Sequence, residues 1–203
     1  MLGHSLKEQG ITTLRQPDKK RWYVKVPAFS FSKIRGLDTY LSPEMKSTGE
    51  AIGYDNSLNR ALYKALRASG INIANYGTVL ATIADKDKEE ALPLIRRFYQ
   101  MGFNIEATRG TANFLRANGI KTRIKKKISE SDDILQSLSK GHVSYVLNTS
   151  DLSSKPNVRE DGFMIRRYAV ENNVAIFTSL ETVRVLLDVL EEMTIGVSTI
   201  DAE

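Results

Sequence analysis

Over residues 71–203, short runs rich in β-branched and apolar residues alternate with stretches whose apolar positions recur every three to four residues. That alternation predicts an α/β fold, a three-layer domain around a mainly parallel five-stranded sheet. Strands are expected at 77–83 (GTVLATI), 103–108, 120–124, 143–148 (VSYVLN) and 174–177. In the first helical stretch Asp87 and Glu90 have the spacing of a capping box, Ala91, Leu94, Ile95 and Phe98 share a face, and Gly102 supplies a stop. Pro93 is tolerable if it falls near the first turn, where backbone N–H groups lack partners anyway. Further helices are expected at 111–118, closed by Gly119, and from Ser131 to Lys140, followed by Gly141. After a polar loop at 149–160, Asp161 is positioned to cap a helix reaching about Glu171, and Ser179 to open a last one reaching about Glu192.

Residues 1–70 are patterned differently. A helical stub at the N-terminus is followed by one strand at 22–26, a polar loop at 30–54 and one helix at 57–69 that ends at Gly70. On that helix Leu58, Leu62, Ala65 and Leu66 fall on one face. One strand and one helix bury little of their own surface. The expectation is therefore a fragment, residues 1–70 being the tail of a larger domain, joined through 70–76 to a second domain at 71–203.

Charge refines this picture through its distribution. The net charge is +5. Residues 1–70 hold twelve Lys/Arg against six Asp/Glu, whereas 71–203 hold seventeen against eighteen, so the excess belongs to the first segment. Within the balanced remainder, residues 109–127 carry seven basic side chains and no acid. The chain has no cysteine and two histidines, His4 and His142, which excludes disulfides, thiolate chemistry, Cys-based metal sites and an HExxH helix. No apolar run approaches the ~20 residues of a membrane helix, and residues 1–10 lack the apolar core of a signal peptide, so a cytoplasmic protein that meets no membrane is expected.

Ligands of parallel sheets bind outside the carboxyl ends of the strands. The polar residues expected there are Thr82 and Lys88 after the first strand, Thr108, Arg109, Gly110 and Thr111 after the second, Lys125, Lys126 and Lys127 after the third, and Asn148, Thr149 and Ser150 after the fourth. Hydroxyls, amides and ammonium groups with few carboxylates suit an anion, above all a phosphate. In Thr108, Arg109, Gly110, Thr111 and Ala112 a strand end runs through a glycine into a helix start, where N–H groups and the helix dipole receive anions. The plainer alternative is that Thr111 only caps its helix and Gly110 only turns the chain. The basic window 121–127 contains no aromatic residue for base stacking, and a solvated basic face accounts for it, so nucleic acid is not an expected partner. Asp85, Asp87 and Asp161 read as helix caps and Asp151 as a lone loop carboxylate, with neither a Walker loop nor a dinucleotide fingerprint. No catalytic or metal-ligating set is expected.

Val26, Pro27, the run 29–33 (FSFSK), Gly36, Asp38 and the run 43–50 (PEMKSTGE) resemble the end of the second ATP-grasp unit of carbamoyl phosphate synthetase large subunits. Residues 77–80 (GTVL), Asp87, Lys88, Gly102, Phe103, Ala107, Thr108, Gly110, Thr111, Ala112, Lys127, Asn148, Thr149, Ile165, Arg166 and Arg167 resemble that subunit's C-terminal regulatory domain, of the Rossmann-like, methylglyoxal-synthase-like fold. The resemblance implies a parent ligase that makes carbamoyl phosphate from bicarbonate, glutamine-derived ammonia and ATP with Mg or Mn. The catalytic groups of that parent lie outside this segment, so the segment by itself is expected not to turn over and to need no cofactor. The implied partners are the rest of the large subunit, the glutaminase small subunit through it, and a nucleoside monophosphate effector, UMP first and IMP second. The family's effector phosphate site falls on Thr82, Lys88, Thr108, Thr111, Lys127, Asn148 and Ser150. Relatives activated by ornithine carry Tyr, Asp and Thr before the last helix, where this chain has Ile176, Phe177 and Thr178, leaving nothing to hold an ammonium group. A structural or oligomerising module of an arginine-pathway synthetase is the alternative expectation. Methylglyoxal synthesis ranks third, because the GGDQQ-type and PHDPD-type motifs of that enzyme are missing.

Overall fold

In the computed structural model, residues 3–12, 20–30, 44–149 and 156–195 are described. The expected N-terminal helical stub is a single turn over 6–10, closed reciprocally by Ser5 and Glu8 and ended at Gly10, whose φ is 78°. The segment read as a polar loop at 30–54 contains a strand. β1 (Trp22–Ala28) pairs antiparallel with β2 (Gly49–Asp55) from Trp22 opposite Asp55 to Ala28 opposite Gly49. The sequence of β2, GEAIGYD, hides it because glycine and acidic residues are poor strand formers. Its small residues are there for α1 (Leu58–Ala68), which lies directly on the strand: a Cβ on Gly53 would overlap the carbonyl oxygen of Ala61 and the amide of Ala65. Ala61 and Ala65 are fully buried in that contact, while Leu58, which the spacing puts on one face with Leu62, Ala65 and Leu66, is exposed.

The second sheet is parallel throughout, in the order β5-β4-β3-β6-β7. Its strands are β3 (Thr78–Thr82), β4 (Asn104–Thr108), β5 (Thr122–Lys125), β6 (Val143–Asn148) and β7 (Ala175–Phe177). Alternation along them separates two cores. Val79, Ala81, Ile105, Tyr145 and Leu147 pack against Leu94, Ile95 and Phe98 of α2 (Lys88–Gln100), Leu115 of α3 (Arg109–Ala117) and Leu186, Leu187 and Leu190 of α6 (Leu180–Ile195). Leu80 and Val146 pack on the other side against Ile134 and Leu138 of α4 (Asp133–Ser139) and Ile165 and Ala169 of α5 (Pro156–Glu171). This is the expected three-layer, Rossmann-like α/β sandwich.

Helix starts differ from expectation in four places. A 3-10 turn over Asp85–Asp87 precedes α2, and Asp87 makes no side-chain cap there, so the expected capping box does not form and Pro93 lies in the helix interior. α3 begins at Arg109, two residues early, with Thr108 in extended conformation at its N-cap. Ser131 stands two residues ahead of α4, its hydroxyl accepting the N–H of Asp133. α5 begins at Pro156, inside the expected loop 149–160, and Asp161 is an interior residue of it. A proline suits the first helical position because its missing N–H has no partner there in any case.

The two sheets are joined through α1 and the segment after it. Ser57 accepts the N–H of Arg60 as N-cap and donates its hydroxyl to Glu192 of α6 at 2.6 Å. Beyond Gly70 (φ 92°), the Tyr145 hydroxyl accepts the Ala74 N–H at 2.8 Å and donates to the Ala74 carbonyl at 2.6 Å. Burial pushes that phenol up to about 12.

Candidate functional site

β3 is the strand from which the chain runs outward in both directions, to β4 and β5 on one side and β6 and β7 on the other. Its carboxyl end, beside that of β6, is the switch point at which such sheets leave a crevice for ligands. Thr82 and Asn148 face each other in register there. The Asn148 amide donates to Thr82 Oγ1 at 2.7 Å, and the Thr82 hydroxyl donates on to the Leu147 carbonyl at 3.4 Å. Thr149 follows directly, giving its N–H to the Thr82 carbonyl and accepting the Ala84 N–H on its hydroxyl at 2.8 Å.

The second wall is the start of α3. Thr108 makes no side-chain cap, so the first-turn N–H groups receive no hydroxyl from it. Its Oγ1 lies 3.5 Å from that of Thr111. Thr111 is buried, and its hydroxyl accepts the Ile83 N–H at 3.2 Å and donates to the Ile83 carbonyl at 3.4 Å. That hydroxyl therefore fastens the exit of β3 to the α3 start. Gly110 is not a turn residue but the second residue of the helix, exposed and without a positive φ. Lys88 reaches across from α2, donating to the Gly110 carbonyl at 3.2 Å, pairing with Asp85 at 2.6 Å and lying 5.9 Å above the ring of Phe114.

Five of the expected residues, Thr82, Lys88, Thr108, Gly110 and Thr111, thus line the exits of β3 and β4, and Asn148 and Thr149 close the set from β6. Lys127 stands apart. It is exposed, two residues past β5, and makes no hydrogen bond or ion pair with the other described candidates. Its loop is nevertheless tied to α5, since Ser129 donates to Asp161 at 3.2 Å. Ser150 lies outside the described residues.

Two buried charges were not assigned to any site from sequence. Arg166 on α5 is 5% exposed and donates from Nη1 to Asn148 Oδ1 at 3.0 Å. Gly162, one turn earlier, makes room for it: a Cβ there would sit 3.2 Å from that nitrogen. A glycine and an arginine four apart on one helix face were the available signal. The second is Glu106 in β4, 1% exposed, which draws Lys125 to 3.4 Å, Arg123 to 3.1 Å and His142 to 3.8 Å. Lys125 is consequently committed to a carboxylate, and the basic run 125–127 is not one uniform patch.

Chemically, the edge offers N–H donors at a helix start, an ammonium group beside them, and an amide whose donor side is fixed toward the strand ends. Residues 90–178, which take in most of this edge, match the family model of the MGS-like domain. Over those residues the chain is thus similar to methylglyoxal-synthase-like domains.

Proposed function

We propose that this domain is an allosteric effector site for a nucleoside monophosphate, UMP in the first place and IMP in the second, and that it regulates a carbamoyl phosphate synthetase of whose large subunit the chain is the C-terminal part. The observation that carries the reading is the switch-point edge, where the α3 start lacks a side-chain cap, Lys88 stands over Gly110, and Asn148 and Thr82 are locked side by side. A phosphate monoester brings only acceptor oxygens, and each element of that edge supplies donors.

Regulation follows by linkage: an effector shifts the catalytic domains only by its difference in affinity for two arrangements, typically ~1–3 kcal/mol. Residues 30–70 are the route, because they belong by resemblance to the ATP-grasp domain and continue into α1, which packs against β2 and contacts α6. In this reading the chain acts in the cytoplasm with the rest of the large subunit and the glutaminase subunit.

Calorimetric titration of the chain with UMP, IMP and inorganic phosphate tests the proposal. The expected result is saturable heat with at least one nucleotide at millimolar ligand, weakened by ~1–3 kcal/mol in Lys88→Ala and in Lys127→Ala. No heat with any of the three overturns it. Turnover of dihydroxyacetone phosphate to methylglyoxal would make the same edge a catalytic one and overturn it equally.

A further inference from the structure

The side-chain amide of Asn148 has two orientations that differ by half a turn, and their shapes are nearly the same. One presents an N–H donor toward Thr82, the other a carbonyl acceptor. In the first, hydrogen bonds run in a single direction: Arg166 donates to Asn148 Oδ1, the Asn148 amide donates to Thr82 Oγ1, and Thr82 donates to the Leu147 carbonyl. A guanidinium has no acceptor, so Oδ1 must be the atom that meets it. The donor side is then forced onto the β3 edge, where the amide gives an N–H to Thr82. Arg166 and Asn148 are both buried, so the hydrogen bond between them is strengthened by its low-dielectric surroundings.

We infer that Arg166 is a positioning residue that acts through Asn148, fixing the amide so that the strand-end edge presents a donor, and thereby sets the polarity of the site in favour of anions. Gly162 belongs to the device. A Cβ built there lies 3.2 Å from the Arg166 nitrogen and 3.8 Å from Asn148 Oδ1, so that a larger residue crowds the guanidinium and makes it give by a few tenths of an ångström. With Arg166 removed, the two amide orientations approach equal energy, and the acceptor face of Asn148 turns part of the time toward the incoming oxygens. Repulsion between that carbonyl and a phosphate replaces a donated hydrogen bond.

The orientation claim stands without any ligand, whereas its consequence for anions rests on the effector reading above. The experiment therefore has two arms. In the first, the side-chain NH2 signals of Asn148, identified by their loss in Asn148→Ala, are followed by nitrogen-15 NMR. In the wild type they are expected away from solvent-like shifts and slow to exchange with water. Arg166→Met is expected to move them toward solvent-like shifts and speed their exchange with water, Gly162→Ala to do so to a smaller extent, and Arg166→Lys to restore part of the protection. Asn148 NH2 protons at solvent-like shifts in the wild type, exchanging with water as fast as those of an exposed amide, overturn the inference with no variant needed.

In the second arm, inorganic phosphate and UMP are titrated into the wild type, Arg166→Met, Asn148→Ala and the double variant. Arg166→Met is expected to weaken binding by about tenfold, roughly one charge-assisted hydrogen bond, and to add little to Asn148→Ala. An equal further loss in the Asn148→Ala background shows that Arg166 does not act through Asn148 and overturns the inference. If the NMR arm holds while the wild type binds neither probe, the effector reading falls and the positioning role of Arg166 stands.

Discussion

Thr111 serves the β3 exit before it serves any ligand. Its hydroxyl satisfies both the N–H and the carbonyl of Ile83, in a position 2% exposed. Thr111→Val keeps the shape and removes both bonds, leaving two backbone groups without partners in a buried place. The expected loss is ~1–3 kcal/mol of stability, read from urea unfolding, with Thr111→Ser losing less because the hydroxyl remains. The stretch 108–112 was legible as a strand-to-helix junction, but the role of Thr111 was not. Extended backbone at Thr108 starts α3 at Arg109, which carries Thr111 inward toward Ile83 and away from the cap position. The strand-end rule likewise found Thr82 and Asn148, since it needs only the strand boundaries. Arg166 escaped it because its contact with Asn148 spans eighteen residues and depends on where α5 begins.

β2 and α1 show what pattern reading misses at the level of elements. A strand announces itself by β-branched and aromatic side chains, yet β2 has the buried Gly53 where the helix lies against its backbone. Gly53→Ala is expected to push α1 off the strand and cost ~1–3 kcal/mol or more, the range for overpacking a tight contact, measured as a lower unfolding midpoint. α2 and α6 are held by a different force. Arg97 donates to Glu191 through two nitrogens at 2.8 Å and to Asp188 at 2.6 Å. The hydrogen bonds from Arg97 hold the Glu191 carboxyl below the usual carboxylate range, against partial desolvation. A group whose folded pKa is depressed contributes stability that is complete above its unfolded value, ~4.3 for Glu, and is lost as pH falls through the folded value. Melting temperatures recorded from pH 7 down to pH 3 are therefore expected to fall less steeply in Glu191→Gln than in the wild type below about pH 4.3.

Whether the two sheets behave as one body follows from what lies between them. α1 buries Ala61 and Ala65 completely, its cap residue Ser57 is hydrogen-bonded to Glu192 of α6, and the Tyr145 hydroxyl grips both backbone groups of Ala74 just before β3. The contacts are polar and directional, so loss of the parallel sheet removes partners from α1, and α1 in turn supports β2. Cooperative unfolding of both sheets is the expected outcome. The single tryptophan makes this measurable, because Trp22 lies on β1 and reports the small sheet, whereas far-ultraviolet circular dichroism reports the whole chain. In the proposed effector reading, an anion at the strand-end edge lies on the large sheet. At a ligand concentration a hundred times its dissociation constant it stabilises that sheet by ~2.7 kcal/mol, roughly 5–10 °C for a chain of this length. If α1 couples the sheets, UMP raises the Trp22 fluorescence transition by the same amount as the dichroism transition. A dichroism transition that rises alone, with tryptophan melting unchanged, would mean that the small sheet unfolds by itself and that α1 transmits nothing from the effector edge. The same contacts would then be unable to carry the proposed regulation, so this comparison also decides whether residues 30–70 can serve as the route proposed for it.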